Sequence, residues 1–246
     1  MKNFLTLYKV EQKQFFRSPD VLVFNLCMPV VTLLIIGFIA GTKMAGDSGL
    51  TYLESSFVAI TTVGICCSAF MSIPIVIVDY RDKKILKHFY CSPCSPARLL
   101  MADVICSGAM AIISAFCVTI VACIIFGYRM EGNMIVFALT WLLTMISMFS
   151  IGLLVAAVCR TTKSMNVATT ILYFPMLLFS GATIPYELFP KGMQMMAGYM
   201  PLGVGIRLMK SASVGAPLGG MLEQIIILAV IAIVCTAISI KSFRWE

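Results

Sequence analysis

The sequence predicts an all-α polytopic membrane protein with six transmembrane helices, an N-terminal amphipathic interface helix, and outer re-entrant helices between spans 5 and 6. Its 246 residues are 60% hydrophobic and only 12% charged, and the mean hydropathy is +0.99. An average soluble domain is about 45–50% apolar and about 25% charged, so these side chains cannot cover a globule with a wetted surface. The composition argues against a soluble enzyme, a disordered protein and a disulfide-stapled secreted domain.

The six apolar segments define the predicted spans, because a helix needs about 20 mostly apolar residues to cross the hydrocarbon core. The predicted spans are residues 21–42, 57–78, 101–126, 134–158, 165–181 and 222–240. The fifth is the shortest and lies at the lower limit of length. The connecting segments are too short for a second domain, so residues 1–246 are predicted to form a single transmembrane domain.

Residues 1–20 are predicted to form a cytoplasmic helix that lies along the membrane interface. On a helical wheel, lysines share one arc and aromatic residues share another, a pattern typical of an interfacial helix. These residues are Lys2, Lys9 and Lys13, and Phe4, Tyr8 and Phe15. Two interpretations stay open: a simple amphipathic anchor, or an elbow that also contacts a partner protein. A cleaved signal peptide is not expected, because the segment is polar and the apolar run after it is too long.

The basic residues predict the orientation of the spans. Lys plus Arg number 18 against 11 Asp plus Glu, which gives a net charge of +7. With both termini in the cytoplasm, most of these 18 residues lie on the inner side, as the positive-inside rule requires. We therefore predict a multi-pass protein of the plasma membrane with cytoplasmic N and C termini and no nucleic-acid partner. All 10 cysteines fall in spans or on the inner side, which favours free thiols.

Residues 79–98 form the first cytoplasmic loop in this arrangement. Charged residues dominate its first half, and Ile85, Leu86 and Phe89 have a spacing that suits one face of a helix. Such a segment would serve well as a docking element. A solvated loop that obeys the positive-inside rule explains the same pattern, so both interpretations stay open.

Several motifs of enzymes and carriers are missing from the sequence. It contains neither GxSxG nor HExxH. Cys91 and Cys94, with His88, lack the fourth ligand of a structural zinc site, so no metal is predicted.

The ionisable residues near spans, including Asp103, are predicted at span ends where solvent is within reach, whereas ion-coupled carriers hold charges at mid-membrane. Polar residues inside the spans, such as Asn25, are predicted to hydrogen-bond from helix to helix.

Residues 182–220 are too apolar for an ordinary exposed loop and too interrupted for a span. Pro185, Pro190, Pro201 and Pro217 break the segment. Broken backbone at membrane depth must be covered by protein or line a cavity. We predict a re-entrant turn and short helices here, on the outer side of the membrane.

These features together resemble the membrane subunit of ABC type-2 exporters, over essentially the whole chain. The outer motif comprises Ser180, Gly181, Pro185, Glu187, Pro190 and Pro201. The first loop contributes an acidic-basic run and a Pro-x-Ser turn, at Asp79, Arg81, Asp82, Pro93 and Ser95. The likeness is looser at residues 84–86, where the family often has Gly-Thr-Leu.

The resemblance implies a permease that is not itself an enzyme, and the chain lacks the nucleotide-binding motif GxxxxGK[ST]. It implies that ATP and Mg bind to a separate cytoplasmic ATP-binding subunit, present in two copies, and that no cofactor binds this chain. It also implies a second membrane subunit, identical or different. The expected substrate is an exported amphiphile such as a drug, an antimicrobial peptide or a lipid. The alternative is an ATP-independent channel or a structural assembly factor.

The resemblance assigns the elbow and the first loop to coupling with the ATP-binding subunit. The expected coupling residues are Phe15, Arg17, Arg81, Asp82, Lys84, Lys87 and Phe89. Arg81 and Asp82 are expected to form ion pairs with the partner, and Phe89 to fill an apolar notch on it. For the substrate, the favoured path lies along the facing stripes of spans 2 and 5.

Overall fold

The computed structural model describes residues 8, 12–13, 22–40, 51–83, 96–130, 132–179, 189–215 and 218–243. A π-helical turn, Val23–Cys27, continues as helix α1, Met28–Ala40. Helix α2 is Tyr52–Asp82, and a π-helical segment, Ser68–Ser72, divides it into two α-helical parts. The remaining helices are α3 (Pro96–Phe126), α4 (Met134–Val158), α5 (Thr162–Phe179), α6 (Lys191–Tyr199), α7 (Pro201–Ser213) and α8 (Leu222–Ser242), with a 3-10 turn, Leu218–Met221, before α8.

Each predicted span overlaps a helix, and α4 has the predicted bounds. Helix α2 is longer than predicted at both ends. Thr51 and Glu54 form a capping box at its start: Glu54 N donates to Thr51 Oγ1 at 3.3 Å, and Thr51 N donates to Glu54 Oε2 at 2.8 Å. This reciprocal pairing stabilises an earlier helix start. At the other end the helix runs through Asp82, so residues 79–82 of the predicted loop belong to α2.

Two further boundaries differ from the predicted ones. Helix α3 begins at Pro96 rather than at residue 101, because proline is favoured in the first turn, where its missing N–H leaves no bond unmade. Helix α5 begins at Thr162 rather than at residue 165. The preceding Thr161 accepts a hydrogen bond from Ser164 N at 3.2 Å, which caps this earlier start.

Within the described residues, four helices are long and apolar enough to cross a membrane: α2, Leu99–Phe126 of α3, α4, and Gly219–Ser242 at α8. The fold is therefore that of a polytopic helical membrane protein. Helix α1 offers a shorter apolar stretch, Val23–Ile39, and α5 carries Lys163 and an internal Pro175. For these two helices the predicted membrane crossing, and with it the count of six spans, stays a prediction.

The main hydrophobic core surrounds α2. Phe57, Phe70 and Ile77 are fully buried, and α1, α3, α4, α5 and α7 all pack on α2. A smaller core joins α7 to α8 through Leu208 and Leu228. Helix α2 is thus the central helix of the bundle.

Both π-helical segments lie beside a proline that interrupts helical hydrogen bonding. Pro29 follows the first segment, and Pro74 follows the second. A proline has no N–H for the carbonyl four residues earlier, which for Pro29 is the carbonyl of Asn25. The Ser114 hydroxyl of α3 donates to that carbonyl. A neighbouring helix therefore satisfies the group that the proline leaves unpaired.

The second π-helical segment lies where α2 and α4 are in close contact. Ile73 N–H donates to the Ser68 carbonyl, five residues back, instead of to Ala69. A Cβ atom on Gly152 of α4 would overlap the Ala69 carbonyl oxygen. Glycine at residue 152 therefore permits this close approach, as small residues do where membrane helices pack.

The region predicted as re-entrant contains two short helices, α6 and α7, and most of α7 is buried. Pro190 O accepts hydrogen bonds from Met193 N at 2.9 Å and Gln194 N at 3.1 Å at the start of α6. Pro201 occupies the first turn of α7. The predicted short helices are therefore present, while their entry into the membrane from the outer side stays a prediction.

Candidate functional site

A cluster of side-chain and backbone groups joins the ends of α2, α4, α5 and α8, and we call it the Arg81 cluster. Its members are Arg81, Asp82, Ala156, Cys159, Thr162 and Phe243. Arg81 Nη1 donates to the carbonyls of Ala156 at 3.2 Å and Cys159 at 3.0 Å. The guanidinium carbon lies 5.0 Å from the centroid of the Phe243 ring, which is within the range of a cation–π contact.

The end of α4 explains why an arginine fits this position. The last carbonyls of a helix have no partner within it and carry a partial negative charge. Helix α4 ends at Val158, and Arg81 donates to one carbonyl in its last turn and to one just beyond it. Arg81 Nε and Nη2 are also buried, and they make no hydrogen bond within the described ranges.

Asp82 connects α2 to the start of α5. Its Oδ2 accepts a hydrogen bond from Thr162 Oγ1 at 2.7 Å. Asp79, almost one turn earlier, instead forms a surface ion pair with Lys83 at 2.8 Å. Neighbouring charges at this end of α2 therefore differ in role: Arg81 and Asp82 hold other helices, whereas Asp79 and Lys83 pair with each other.

The predicted coupling residues are only partly within the described structure. Arg81 and Asp82 lie together in the Arg81 cluster, and their ion pairs with a partner protein stay a prediction. The others lie outside the described residues: Phe15, Arg17, Lys84, Lys87 and Phe89. Thr162 and Phe243, two members of the Arg81 cluster, were not predicted from the sequence. The available signals were a threonine at a helix start and an aromatic residue directly after the last span.

A buried hydrogen-bonded group links α1, α2 and α3 inside the bundle. Asn25 is fully buried, and its Oδ1 accepts from Ser68 Oγ at 2.8 Å. Ser114 donates to its backbone carbonyl, and Gly64 leaves the room that the Ser114 side chain occupies. These contacts confirm, for these residues, the prediction that polar groups in the spans bond helix to helix.

Asp103 corrects the prediction that ionisable residues near the spans lie within reach of solvent. It is fully buried within helix α3, which begins at Pro96. Cys106 Sγ, one turn further on, lies 3.7 Å from the carbonyl oxygen of Tyr8, to which it donates. Tyr8 also packs against Cys106 and Met110. The N-terminal segment therefore contacts the same helix, α3, as far as its described residues show.

Helix α7 holds the opposite end of α2. Lys210 Nζ donates to Ser55 Oγ, near the start of α2, at 2.6 Å. Pro190 and Pro201 of the predicted outer motif begin the two short helices of this region. The other motif residues lie outside the described ranges: Ser180, Gly181, Pro185 and Glu187. Lys210 and Arg81, predicted on opposite sides of the membrane, therefore contact opposite ends of one long helix.

A groove with a volume of about 460 Å³ lies between α3, α4 and α8. Its walls are mostly apolar, with Phe149 among them and hydroxyl groups from Ser150 and Thr236. Small-molecule sites commonly have volumes of about 300–1,000 Å³. Helices α2 and α5 contact each other where Cys67 Sγ lies 3.2 Å from Tyr173 Oη, and the predicted path along the facing stripes of spans 2 and 5 stays a prediction.

The described residues contain no group of three or more His, Cys, Asp or Glu side chains that could hold a metal ion. His88, Cys91 and Cys94 lie outside these residues. The cysteines that are described are all free thiols.

The helical bundle is that of a polytopic membrane protein, and comparison with known proteins defines the family. Residues 2–213 match the model of the ABC-2 type transporter family. Because the match covers most of the chain, this protein belongs to that family and is an integral membrane permease component of an ABC-type transporter. It is also similar to Nodulation protein J of Sinorhizobium fredii, with 24% identity over 213 residues that cover 85% of this chain and 80% of that protein. The resemblance stated from the sequence motifs is thus confirmed.

Proposed function

We propose that this chain is the permease subunit of an ATP-driven exporter for an amphiphilic substrate, such as a drug, an antimicrobial peptide or a lipid. The family match over residues 2–213 carries the proposal. ATP and Mg bind to two copies of a separate cytoplasmic ATP-binding subunit. The permease lies in the plasma membrane with both termini in the cytoplasm.

The first loop and the N-terminal elbow are the proposed contacts with the ATP-binding subunit. The loop follows α2 directly, and the Arg81 cluster attaches that end of α2 to α4 and α5. A force on the loop therefore enters the bundle at a point joined to several helices. Lys84 and Lys87 pair with acidic groups of the partner, and Phe89 fills an apolar notch on it. Phe15 and Arg17 supply the contact from the elbow.

A second membrane subunit, identical or related, completes the proposed transporter. Helices α3 and α8 expose large apolar side chains: Phe116 is 65% exposed, Ile124 78% and Ile233 69%. Exposed apolar surface of this kind is typical of contact with lipid or with another protein. Helices α6 and α7 are proposed to enter the membrane from the outer side, close to the exit of the substrate path.

Purification from native membranes in a mild detergent tests this proposal. We expect an ATP-binding protein to co-purify with the chain. The complex, reconstituted in phospholipid vesicles, is expected to hydrolyse ATP faster than the ATP-binding protein alone and to move a fluorescent phospholipid only when ATP is present. Phospholipid movement without ATP, and without a co-purified ATP-binding protein, would instead support the channel alternative.

A single substitution tests the proposed docking role of the loop. Phe89→Asp is expected to abolish the stimulation of ATP hydrolysis without loss of membrane insertion, because a charge opposes an apolar contact. Val214→Asp is the matched control, since Val214 is 47% exposed directly after α7, at the other end of the bundle. The control is expected to keep full stimulation. Equal stimulation by Phe89→Asp and the unmodified chain would contradict the docking assignment.

A further inference from the structure

We infer that the Arg81 cluster is an internal clamp, in which Arg81 and Phe243 are positioning residues that pass movement of the first cytoplasmic loop to α4, α5 and α8. The inference rests on the proposed function and adds a route for that movement through the chain's own residues. It gives Arg81 a role within the permease, distinct from the docking role of residues beyond it in the loop.

The position of the cluster along α2 supports this role. The last part of α2, Ile73–Asp82, lies between the π-helical segment Ser68–Ser72 and the loop. Helices bend most readily at π-helical segments and prolines, and Pro74 lies two residues after the end of this segment. The last part of α2 can therefore tilt relative to the first part, and Arg81, near its far end, is displaced most.

The contacts of the cluster identify the helices that a displacement of Arg81 would move. Arg81 holds two carbonyls at the end of α4, and Asp82 holds the hydroxyl of Thr162 at the start of α5. The Phe243 ring, directly after α8, lies against the guanidinium group. One tilt of α2 thus acts on the ends of three other helices at once.

The hydrogen bonding of Arg81 suits a group that changes partners. Nη1 serves two carbonyls, whereas Nε and Nη2 are buried and unbonded within the described ranges. A buried donor without a partner is unfavourable. A second conformation, in which Arg81 Nε and Nη2 donate hydrogen bonds to a carbonyl, a carboxylate or water, would therefore be close in free energy to the one observed. Two arrangements of similar free energy are what a conformational signal requires.

The reactivity of Cys159 reports the state of the cluster directly, because its carbonyl accepts from Arg81 and its thiol is partly exposed. Cys91 and Cys94 are first replaced by serine, and the complex with the co-purified ATP-binding protein is placed in phosphatidylethanolamine and phosphatidylglycerol vesicles. Labelling of Cys159 by a maleimide is followed with and without a non-hydrolysable ATP analogue, and located by mass spectrometry. The nucleotide is expected to change the labelling rate by about fivefold or more, the lower range of typical coupling between sites.

Substitutions in the cluster are expected to remove this nucleotide dependence while the ATP-binding protein still co-purifies. Arg81→Ala removes all contacts of the side chain, and Phe243→Leu removes the ring. Arg81→Lys keeps the charge but not the planar fork, so an intermediate effect is expected even if Arg81→Ala fails to fold. Phe243→Tyr keeps the ring and is expected to behave like the unmodified chain, a rescue that a general loss of packing would not show. Lys83→Ala is the matched control for loss of a neighbouring charge.

The outcomes separate the two proposals. Loss of nucleotide dependence in Arg81→Ala and Phe243→Leu, with rescue by Phe243→Tyr, supports the clamp. Nucleotide dependence that persists in both variants overturns it and leaves the proposed function intact. The clamp is also overturned, alone, if the unmodified complex hydrolyses ATP but shows no change in Cys159 labelling. If no ATP-binding protein joins the unmodified chain, the proposed function fails and the clamp fails with it.

Discussion

Helices α2 and α8 are similarly apolar, yet they occupy very different positions in the bundle. Their most apolar stretches have mean hydropathies of 2.1 and 2.5, but 83% of the first is buried against 17% of the second. Helix α2 lies at the centre, whereas α8 packs mainly on α4 through a stripe formed by Leu228, Ala232 and Ser239. Because lipid tails are as apolar as leucine, hydropathy alone cannot tell a central membrane helix from a peripheral one.

Small and hydroxyl-bearing residues do distinguish the two helices. Those of α2 include Ser55, Ser56, Thr61, Thr62, Gly64, Ser68 and Ser72, all of which are buried. Of glycine and the hydroxyl-bearing residues serine and threonine, helix α8 has only Thr236, Ser239 and Ser242, and the Ser239 hydroxyl donates to Leu153 O at 3.1 Å. Small residues allow backbones to approach, and hydroxyl groups bond across or within helices. These residues, more than hydropathy, mark the helix that others surround.

The largest effect is expected where α4 touches the centre of α2. Gly152→Leu would force a side chain into the Ala69 carbonyl, which is backbone and cannot turn away. We expect the free energy of unfolding to fall by about 3 kcal/mol or more, at or above the upper end for overpacked cores. Thermal unfolding in detergent measures this, because the buried thiols of Cys66 and Cys67 react with a maleimide dye only after unfolding.

The same enlargement on α8 is the control for that experiment. Ala237 lies on the exposed face of α8, so Ala237→Leu is expected to change the free energy of unfolding by less than about 0.5 kcal/mol. If both variants unfolded at the same temperature as the unmodified chain, α2 and α4 would not be in the close contact described. A large loss in the free energy of unfolding from Ala237→Leu alone would indicate that α8, rather than α2, is the tightly packed helix.

Much of this fold follows from local sequence signals. The bounds of α4 were predicted from the extent of its apolar run, which ends beside Arg160. In the structure Asn133 also caps the start of the helix, where its side chain accepts from Ile135 N at 2.9 Å. The early start of α2 was missed, although Thr51 and Glu54 have the spacing of a capping box. The π-helical segments were missed as well, although Pro29 and Pro74 interrupt otherwise helical runs.

The candidate site was less predictable, since its partners are distant in sequence. Arg81 was expected to contact a partner protein because the family resemblance assigns the first loop to coupling, and that contact stays a prediction. Nothing in the order of residues shows that the carbonyls of Ala156 and Cys159, more than 70 positions away, lie beside it. Asp103 was misplaced for a related reason: its burial depends on how far α3 extends and on what packs against it.

An intermediate effect is expected from the buried hydrogen bond between α1 and α2. Asn25→Leu would replace the amide group by an apolar group of similar branching and leave the Ser68 hydroxyl without its acceptor. We expect the free energy of unfolding to fall by about 1–2 kcal/mol, since hydrogen bonds between membrane helices contribute about 0.6 kcal/mol on average and up to about 1.7. Dye-monitored unfolding through Cys66 and Cys67 applies here too.

Thr236→Val on α8 provides the comparison, because Thr236 is exposed and this variant also replaces a polar side chain by an apolar one. Its expected change is within about 0.5 kcal/mol. Equal losses in Asn25→Leu and Thr236→Val would show that polar groups contribute alike at the centre and the periphery. In that case the number of hydroxyl-bearing residues would not identify the central helix.

The smallest effect is expected at the exposed end of α2. There a substitution should lower the free energy of unfolding no more than a similar substitution on α8. The Lys83 side chain is 64% exposed and pairs with Asp79 in an i, i+4 arrangement; such surface pairs contribute about 0.3–0.5 kcal/mol. Lys83→Ala should therefore lower the free energy of unfolding by less than about 0.5 kcal/mol, and so should Lys241→Ala in the last turn of α8. Unfolding at low and high salt measures both, and any difference should shrink as salt screens the pair. A loss from Lys83→Ala as large as that from Asn25→Leu would mean that Lys83 acts within the bundle, so that the importance of α2 extends beyond its buried part.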